Sequence, residues 1–266
     1  MKMNTRILCL KLLLSVLFAP SCSDQKKPPP RHESKSPKWS FIKQCYFSDD
    51  HKGLDLTILP QTESDQFWKD AGEEVKNSPY RLKVRHILLN RFFVDASALL
   101  CLSNFSETET MTFGPSFEGV TILPHDLAAL AAFPKLRYLK LAIHGISAEH
   151  FAEIGRLSQI TELRIDFPSV LMLPGSAFDR QLAVWKAVDL TDASVAPLAG
   201  MRGLEDLTFG RAPERRDGKV CFSEQVIPLL LKSPSIKFLT IEPSNFTPAG
   251  LAAARNMKLS PVVELR

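Results

Sequence analysis

The chain has 266 residues, 45% of them hydrophobic, an ordinary proportion for a globular protein and enough for a sizeable core. Its formal charge of +4 misleads, because eight basic but only two acidic residues precede Trp39, leaving 25 basic against 27 acidic from there onward. A folded part so close to neutral argues against nucleic acid as a partner.

The first residues, MKMNTRILCLKLLLSVLFAPSC, place Lys2, Arg6 and Lys11 ahead of an apolar run at 12–19 and close on small residues, the layout of a secretory signal over residues 1–21. A spanning helix needs roughly 20 apolar residues, so this run is too short to remain as an anchor. Ala19-Pro20-Ser21 suits ordinary signal peptidase. "APSC" also resembles a bacterial lipobox, with Ala19 where Leu is usual, and that resemblance implies lipidation of Cys22. Both readings cut before Cys22.

Residues 22–38 then form a polar tether, SDQKKPPPRHESKSPK after the cysteine, with no apolar face. In polyproline II geometry, at ~3.1 Å per residue, it reaches on the order of 50 Å. Its lysines and arginines suit an anionic membrane surface, each giving about 1 kcal/mol near the headgroups. The expected location is therefore the cell envelope, periplasm or cell surface, with the membrane as one partner.

Residues 39–83 open the folded part. LDLTIL at 54–59 alternates like a strand. TESDQFWKDAGEEVKN begins with a T-x-x-D capping pattern, and Phe67, Trp68, Ala71 and Val75 make the apolar side of a helix. Two fragments here hint at chemistry. Ser40 and Lys43 have the S-x-x-K spacing of penicillin-binding enzymes, but the S-D-N and K-T-G elements those enzymes require do not occur. Asp49, Asp50 and His51 are adjacent, and three neighbouring side chains rarely converge on one ion; a polar turn ending at Gly53 is the better reading.

From residue 84 the chain repeats itself. Leu136, Leu139 and Leu141 are answered at an interval of 24 by Ile160, Leu163 and Ile165. The pattern L-x-x-L-x-L starts at 84, 108, 136, 160, 180, 204 and 236, weakly at Thr108 and in degenerate form at 180, where Ala183 and Trp185 replace leucines. Thirteen residues before a start stand Asp95, Ser147, Thr191 and Ser223, with Leu123 the exception, and Thr247 takes the same place in the last unit. Asp, Ser and Thr there cap a helix by accepting from its free first-turn N–H groups. Each unit thus reads as strand, turn, capped helix and return.

The stretch LTDASVAPLAGMRGLEDLTF at 190–209 resembles bacterial leucine-rich repeat proteins, and the likeness runs over 84–266, about seven units. It implies an α/β solenoid, with parallel strands on the concave face and helices on the convex one, and residues 39–83 as a cap over its open end. One departure stands out. The positions where the family places a ladder of Asn or Cys read Phe92, Ser116, His144, Pro168, Val188, Ala212 and Ser244, so an irregular arc without that ladder is expected. The segment 166–181 should be loop in place of helix.

Catalytic signals are weak throughout. His86, His125, His144 and His150 are scattered, no phosphate loop or G-x-S-x-G elbow occurs, and Cys45, Cys101 and Cys221 lack metal spacing, leaving either one disulfide or idle thiols. The sequence points away from an enzyme, a cofactor, a metal or a small-molecule substrate. The basic loop 210–221, with Arg211, Arg215 and Arg216, reads either as a protruding contact or as a tolerated insertion.

The candidate site is the concave face. Where leucines point inward, the intervening residues point out: Arg85, His86 and Leu88; Arg137, Tyr138 and Lys140; Glu162, Arg164 and Asp166; Glu205, Asp206 and Thr208; Lys237, Phe238 and Thr240. Of these, Arg137, Tyr138, Lys140, Glu162, Arg164, Asp166, Glu205 and Asp206 are the expected ligand-binding set, with the 137–140 and 162–166 groups on neighbouring strands. Tyr and Arg on a rigid sheet are frequent anchors for protein recognition. The expected function is a protein-binding scaffold, against a structural component of an envelope assembly or a hydrolase built on the cap.

Overall fold

The interval of 24 residues sets the architecture, because it brings like residues side by side. The computed structural model describes residues 42–47, 52–58, 65–89, 93–114, 120–143, 145–167, 190–211, 220–257 and 263–265. The signal, Cys22, the tether, Ser40, Asp49, Asp50, His51, residues 168–189 and most of the basic loop lie outside them, as do the side chains of Lys43 and Cys45.

One mixed α/β unit results, its sheet almost entirely parallel. In chain order the strands are β1 Ile42–Phe47, β2 Gly53–Ile58, β3 His86–Leu89, β4 Phe93–Val94, β5 Thr110–Phe113, β6 Thr121–Ile122, β7 Tyr138–Ala142, β8 Glu162–Asp166, β9 Asp206–Phe209, β10 Phe238–Ile241 and β11 Val263–Leu265. Nine of them form one sheet in the order β1-β2-β3-β5-β7-β8-β9-β10-β11, so neighbours in sequence are neighbours in space. Among the described residues only the β1–β2 pair is antiparallel. The register places Ile87, Met111, Leu139, Leu163, Leu207, Leu239 and Val263 in one row and Leu89, Phe113, Leu141, Ile165, Phe209, Ile241 and Leu265 in the next. From Ile87 to Leu239 and from Leu89 to Ile241 both rows are buried; Val263 and Leu265 at the sheet edge are partly so.

Helical segments cover that apolar side, also in chain order: α1 Asp65–Lys76, α2 Ala96–Leu102, a 3-10 stretch Pro124–Ala132, α3 Ala148–Ile154, α4 Asp192–Val195 running into a second 3-10 stretch Ala196–Gly200, α5 Val226–Leu230 and α6 Pro248–Asn256. An isolated helix needs ~12–15 residues to hold in water; α1 barely reaches that length and the others fall short, so they exist because they pack. Phe67, Trp68, Ala71 and Val75 of α1 turn to the core as their spacing requires. Among the described residues no helix is long and apolar enough to cross a membrane.

The expected caps are in place. The Asp95 carboxylate accepts from the Ala98 N–H at 2.7 Å, and Thr247 Oγ1 from the Gly250 N–H at 2.9 Å. Ser147 and Thr191 head reciprocal capping boxes whose third residues are His150 and Ser194. Leu123 has no capping side chain; instead Asp126 reaches back to accept from Ala96 N–H at 3.0 Å, at the start of the preceding helix. Ser223 stands further out, accepting from Gln225 N–H and tied to Asp192 of the preceding unit. A buried apolar residue directly precedes every cap: Val94, Ile122, Ile146, Leu190, Phe222 and Phe246. Most of these residues join a narrow second tier of parallel pairing, with β4 beside β6, Leu190 beside Val220 and Phe222 beside Phe246.

Three expectations change. First, β8 pairs directly with β9, so the unit expected at Arg180 supplies no strand between them; the place is taken at the far end by β11, which pairs with β10 at the regular 24-residue step, Leu239 to Val263. Ala183 and Trp185 are residue types that neither buried row holds elsewhere; those positions carry Leu, Ile, Met, Phe or Val. Second, the 108 unit is full despite its polar lead, because buried Thr108 satisfies its hydroxyl on the Phe105 carbonyl at 2.8 Å. Third, one ladder rung exists, a position later than expected: fully buried Asn245 donates Nδ2–H to the carbonyl of Gly210 at 2.9 Å.

The irregular intervals have a single source. From each cap to the next strand lead the distance is constant at 13, and from the last strand leucine to the residue before the cap it is 5 in the regular units, as from Leu141 to Ile146. That second distance becomes 9 from Phe113 to Ile122, 25 from Ile165 to Leu190 and 13 from Phe209 to Phe222. Every extra residue therefore enters after the carboxyl end of a strand.

Candidate binding face

Side chains alternate along a strand, so the residues between the two buried rows occupy the opposite face of the sheet. The pairing register sorts them into three rows. A rim row just ahead of the strands carries Arg85, Glu109, Arg137, Thr161, Glu205 and Lys237; the next carries His86, Thr110, Tyr138, Glu162, Asp206 and Phe238; the third carries Leu88, Thr112, Lys140, Arg164, Thr208 and Thr240. The 137–140 and 162–166 groups thus lie on paired neighbouring strands, with Tyr138, Lys140, Glu162, Arg164 and Asp206 in the two outward rows, Arg137 and Glu205 on the rim and Asp166 at the end of β8. Tyr138 stands opposite Glu162 and Lys140 opposite Arg164, whereas Arg137 neighbours Thr161 and Asp166 neighbours Ala142.

Charges are largely paired along the rim. Arg85 meets Glu109 at 3.0 Å, and Lys237 meets Glu205 at 2.8 Å, both exposed and each worth at most about 1 kcal/mol. In the first full row, His86 Nδ1 and Thr110 Oγ1 lie 2.7 Å apart, sharing one hydrogen.

Asp166 is the exception to the outward reading. It is 4% exposed, and its carboxylate accepts from Arg164 Nε at 3.0 Å and from Lys140 Nζ at 3.2 Å. Gly210 beside it makes the space: a Cβ built there would lie 2.2 Å from Asp166 Oδ1. One sunken carboxylate therefore fixes both cations of the third row, an arrangement that composition alone does not reveal.

Burial raises the Tyr138 phenol above its usual range; Arg164 opposes this, while Asp166, Glu162 and Asp206 add to it. Burial likewise raises Asp206, with a hydrogen bond to Thr208 acting against it. Phe238, at the end of the same row, is 60% exposed, unusual for a large apolar side chain on a rigid strand.

No known protein family matches this chain, and no curated protein does either.

Elsewhere the titratable groups serve the fold. His150 is buried; its Nδ1 accepts from Ser147 N–H at 3.1 Å and its Nε2–H donates to the Ile122 carbonyl at 3.0 Å, which fixes the neutral tautomer and bridges two units. Burial lowers its pKa against the opposing effects of that carbonyl and Glu149. The Cys101 thiol is pushed up to about 12 by burial, then by Glu74, so it is not a thiolate at neutral pH. Cys101 and Cys221 are free thiols. Among the described residues no group of three His, Cys, Asp or Glu converges as a metal site.

Strand alternation alone identifies Phe238 and Thr208 as outward, yet both stand outside the expected binding set. Sequence reasoning misses Thr161, Gly210 and the sunken position of Asp166. For Asp166 and Gly210 a signal exists: Asp166 ends β8 and Gly210 directly follows β9, one register step beyond the Ile165–Phe209 pair, where a carboxylate opposite a glycine has room to fold down.

Proposed function

We propose that this chain is a leucine-rich repeat solenoid of the bacterial kind, exported and held at the cell envelope through Cys22, whose open sheet face binds a partner protein. The fold part of this reading is supported by the register: strands pair in chain order, the leucine positions stack, and a helical segment lies between each two neighbouring parallel strands of the sheet. The binding part is supported by one observation above others. The face opposite the helices carries Tyr138, Arg164 and Phe238 on strands locked by two buried rows, so these side chains are presented without the entropy cost of ordering a loop. The helical side offers no comparable aromatic surface among the described residues. Extra chain length enters after the carboxyl ends of β5, β8 and β9 and leaves the pairing register of the described strands unchanged.

A photo-crosslinking residue placed at Tyr138, compared with one at Leu100 on helix α2, tests the assignment in cells of the native host. A discrete adduct from position 138 and none from 100 is expected. Equal labelling from both positions, or labelling from 100 alone, would reject it. Mass spectrometry of the mature N-terminus checks the anchor: a diacylglyceryl adduct on Cys22 is expected, and an unmodified first residue contradicts it.

A further inference from the structure

We infer that the row formed by Tyr138, Glu162, Asp206 and Phe238 receives an arginine side chain presented by the partner protein. This rests on the binding-face reading and gives it a ligand chemistry. Glu162 and Asp206 are register neighbours, so their strands bring two carboxylates together at roughly 4.8 Å of strand separation. Like charges directly opposite each other are unfavourable in a sheet. Among the described residues neither forms an ion pair: the cations of the adjacent row, Lys140 and Arg164, are held by Asp166, and Lys237 by Glu205. The fold thus keeps a repulsive pair that an incoming cation relieves.

The ends of the row specify which cation. Tyr138 is half-buried on one side of the pair, and Phe238 is 60% exposed on the other. An aromatic face within about 6 Å attracts a guanidinium, and the planar fork of arginine donates to two carboxylate oxygens at once, which a lysine ammonium does less well. A calcium ion, which takes about six to eight oxygen ligands, is disfavoured in a row that offers two carboxylates flanked by aromatic rings.

The test uses the full chain, isotope-labelled, with an acetylated and amidated Gly-Arg-Gly-Arg-Gly peptide and its citrulline counterpart, which keeps the shape and loses the charge. Saturable NMR shifts centred on Tyr138, Glu162, Asp206 and Phe238 are expected, with citrulline at least about ten-fold weaker and binding weakened by salt. The E162Q/D206N double variant should lose binding by a similar factor while melting no lower than the parent. The proposal is overturned if citrulline binds equally, if the double variant binds unchanged, or if shifts centre on the rim. It is also overturned if calcium ions displace the peptide, or if the row's signals already depend on protein concentration without it, pointing to a metal or a second copy. A crosslink from position 138 that survives E162Q/D206N would retain the binding face and reject arginine as its ligand.

Discussion

Two junctions in the sheet have the same geometry and very different chain lengths. Between β7 and β8, Tyr138 pairs with Glu162, 24 positions on; between β8 and β9, Glu162 pairs with Asp206, 44 positions on. The extra 20 residues change neither register nor burial, since Leu163 and Leu207 adjoin as Leu139 and Leu163 do. Hence the stack is specified by the cap-to-strand segment, whose length never varies, while the strand-to-cap connection is free to grow.

The largest effect should come from breaking the regular junction. Leu139→Ala removes a fully buried side chain from the inner row and should cost about 2–5 kcal/mol in chemical denaturation. Next, deletion of residues 169–188 restores the 24-residue step between β8 and β9. It should keep the fold and, by shortening the connection between β8 and the Thr191 cap, shift stability by only about 1–2 kcal/mol, in the stabilising direction. Thr247→Ala removes a cap in a regular unit and should cost about 1 kcal/mol, read by the same denaturation curves.

A smaller, pH-dependent effect comes from His150, buried in the helix between β7 and β8 and bonded to the Ile122 carbonyl in the unit before β7. His150 has a folded pKa below its usual 6.5, so the unfolded chain takes up the proton first. Its contribution is fully present above about 6.5 and declines as pH falls below that value toward the folded pKa. Stability measured from pH 7.5 to 5 should show this slope in the parent and lose it in His150→Gln.

Much of this is legible in the sequence, for physical reasons that name particular residues. Leu136, Leu139 and Leu141 can be read because burial of a row admits few residue types. Asp95, Ser147, Thr191 and Thr247 can be read because a helix start needs an acceptor. The strand count goes wrong at Arg180, where a spacing of 20 imitates a repeat although Ala183 and Trp185 do not fit a leucine row. Asn245 escapes notice because the rung depends on a backbone turn at Pro243–Asn245, which moves it one place. Asp166 looks outward by parity alone; that it folds down follows from what Gly210 lacks, a relation between residues 44 positions apart that no local pattern encodes.

The account stands most directly on β8 and β9 being neighbours. Arg164 and Thr208 are paired in register on the open face, and paired Cα atoms at a strand separation of ~4.8 Å lie within disulfide range. Oxidation of the Arg164→Cys/Thr208→Cys double variant should give complete intramolecular cross-linking with little change in stability. Failure of that bond to form, with the new thiol at position 164 instead reaching one introduced by Trp185→Cys, would show that another strand lies between them and would contradict the stack.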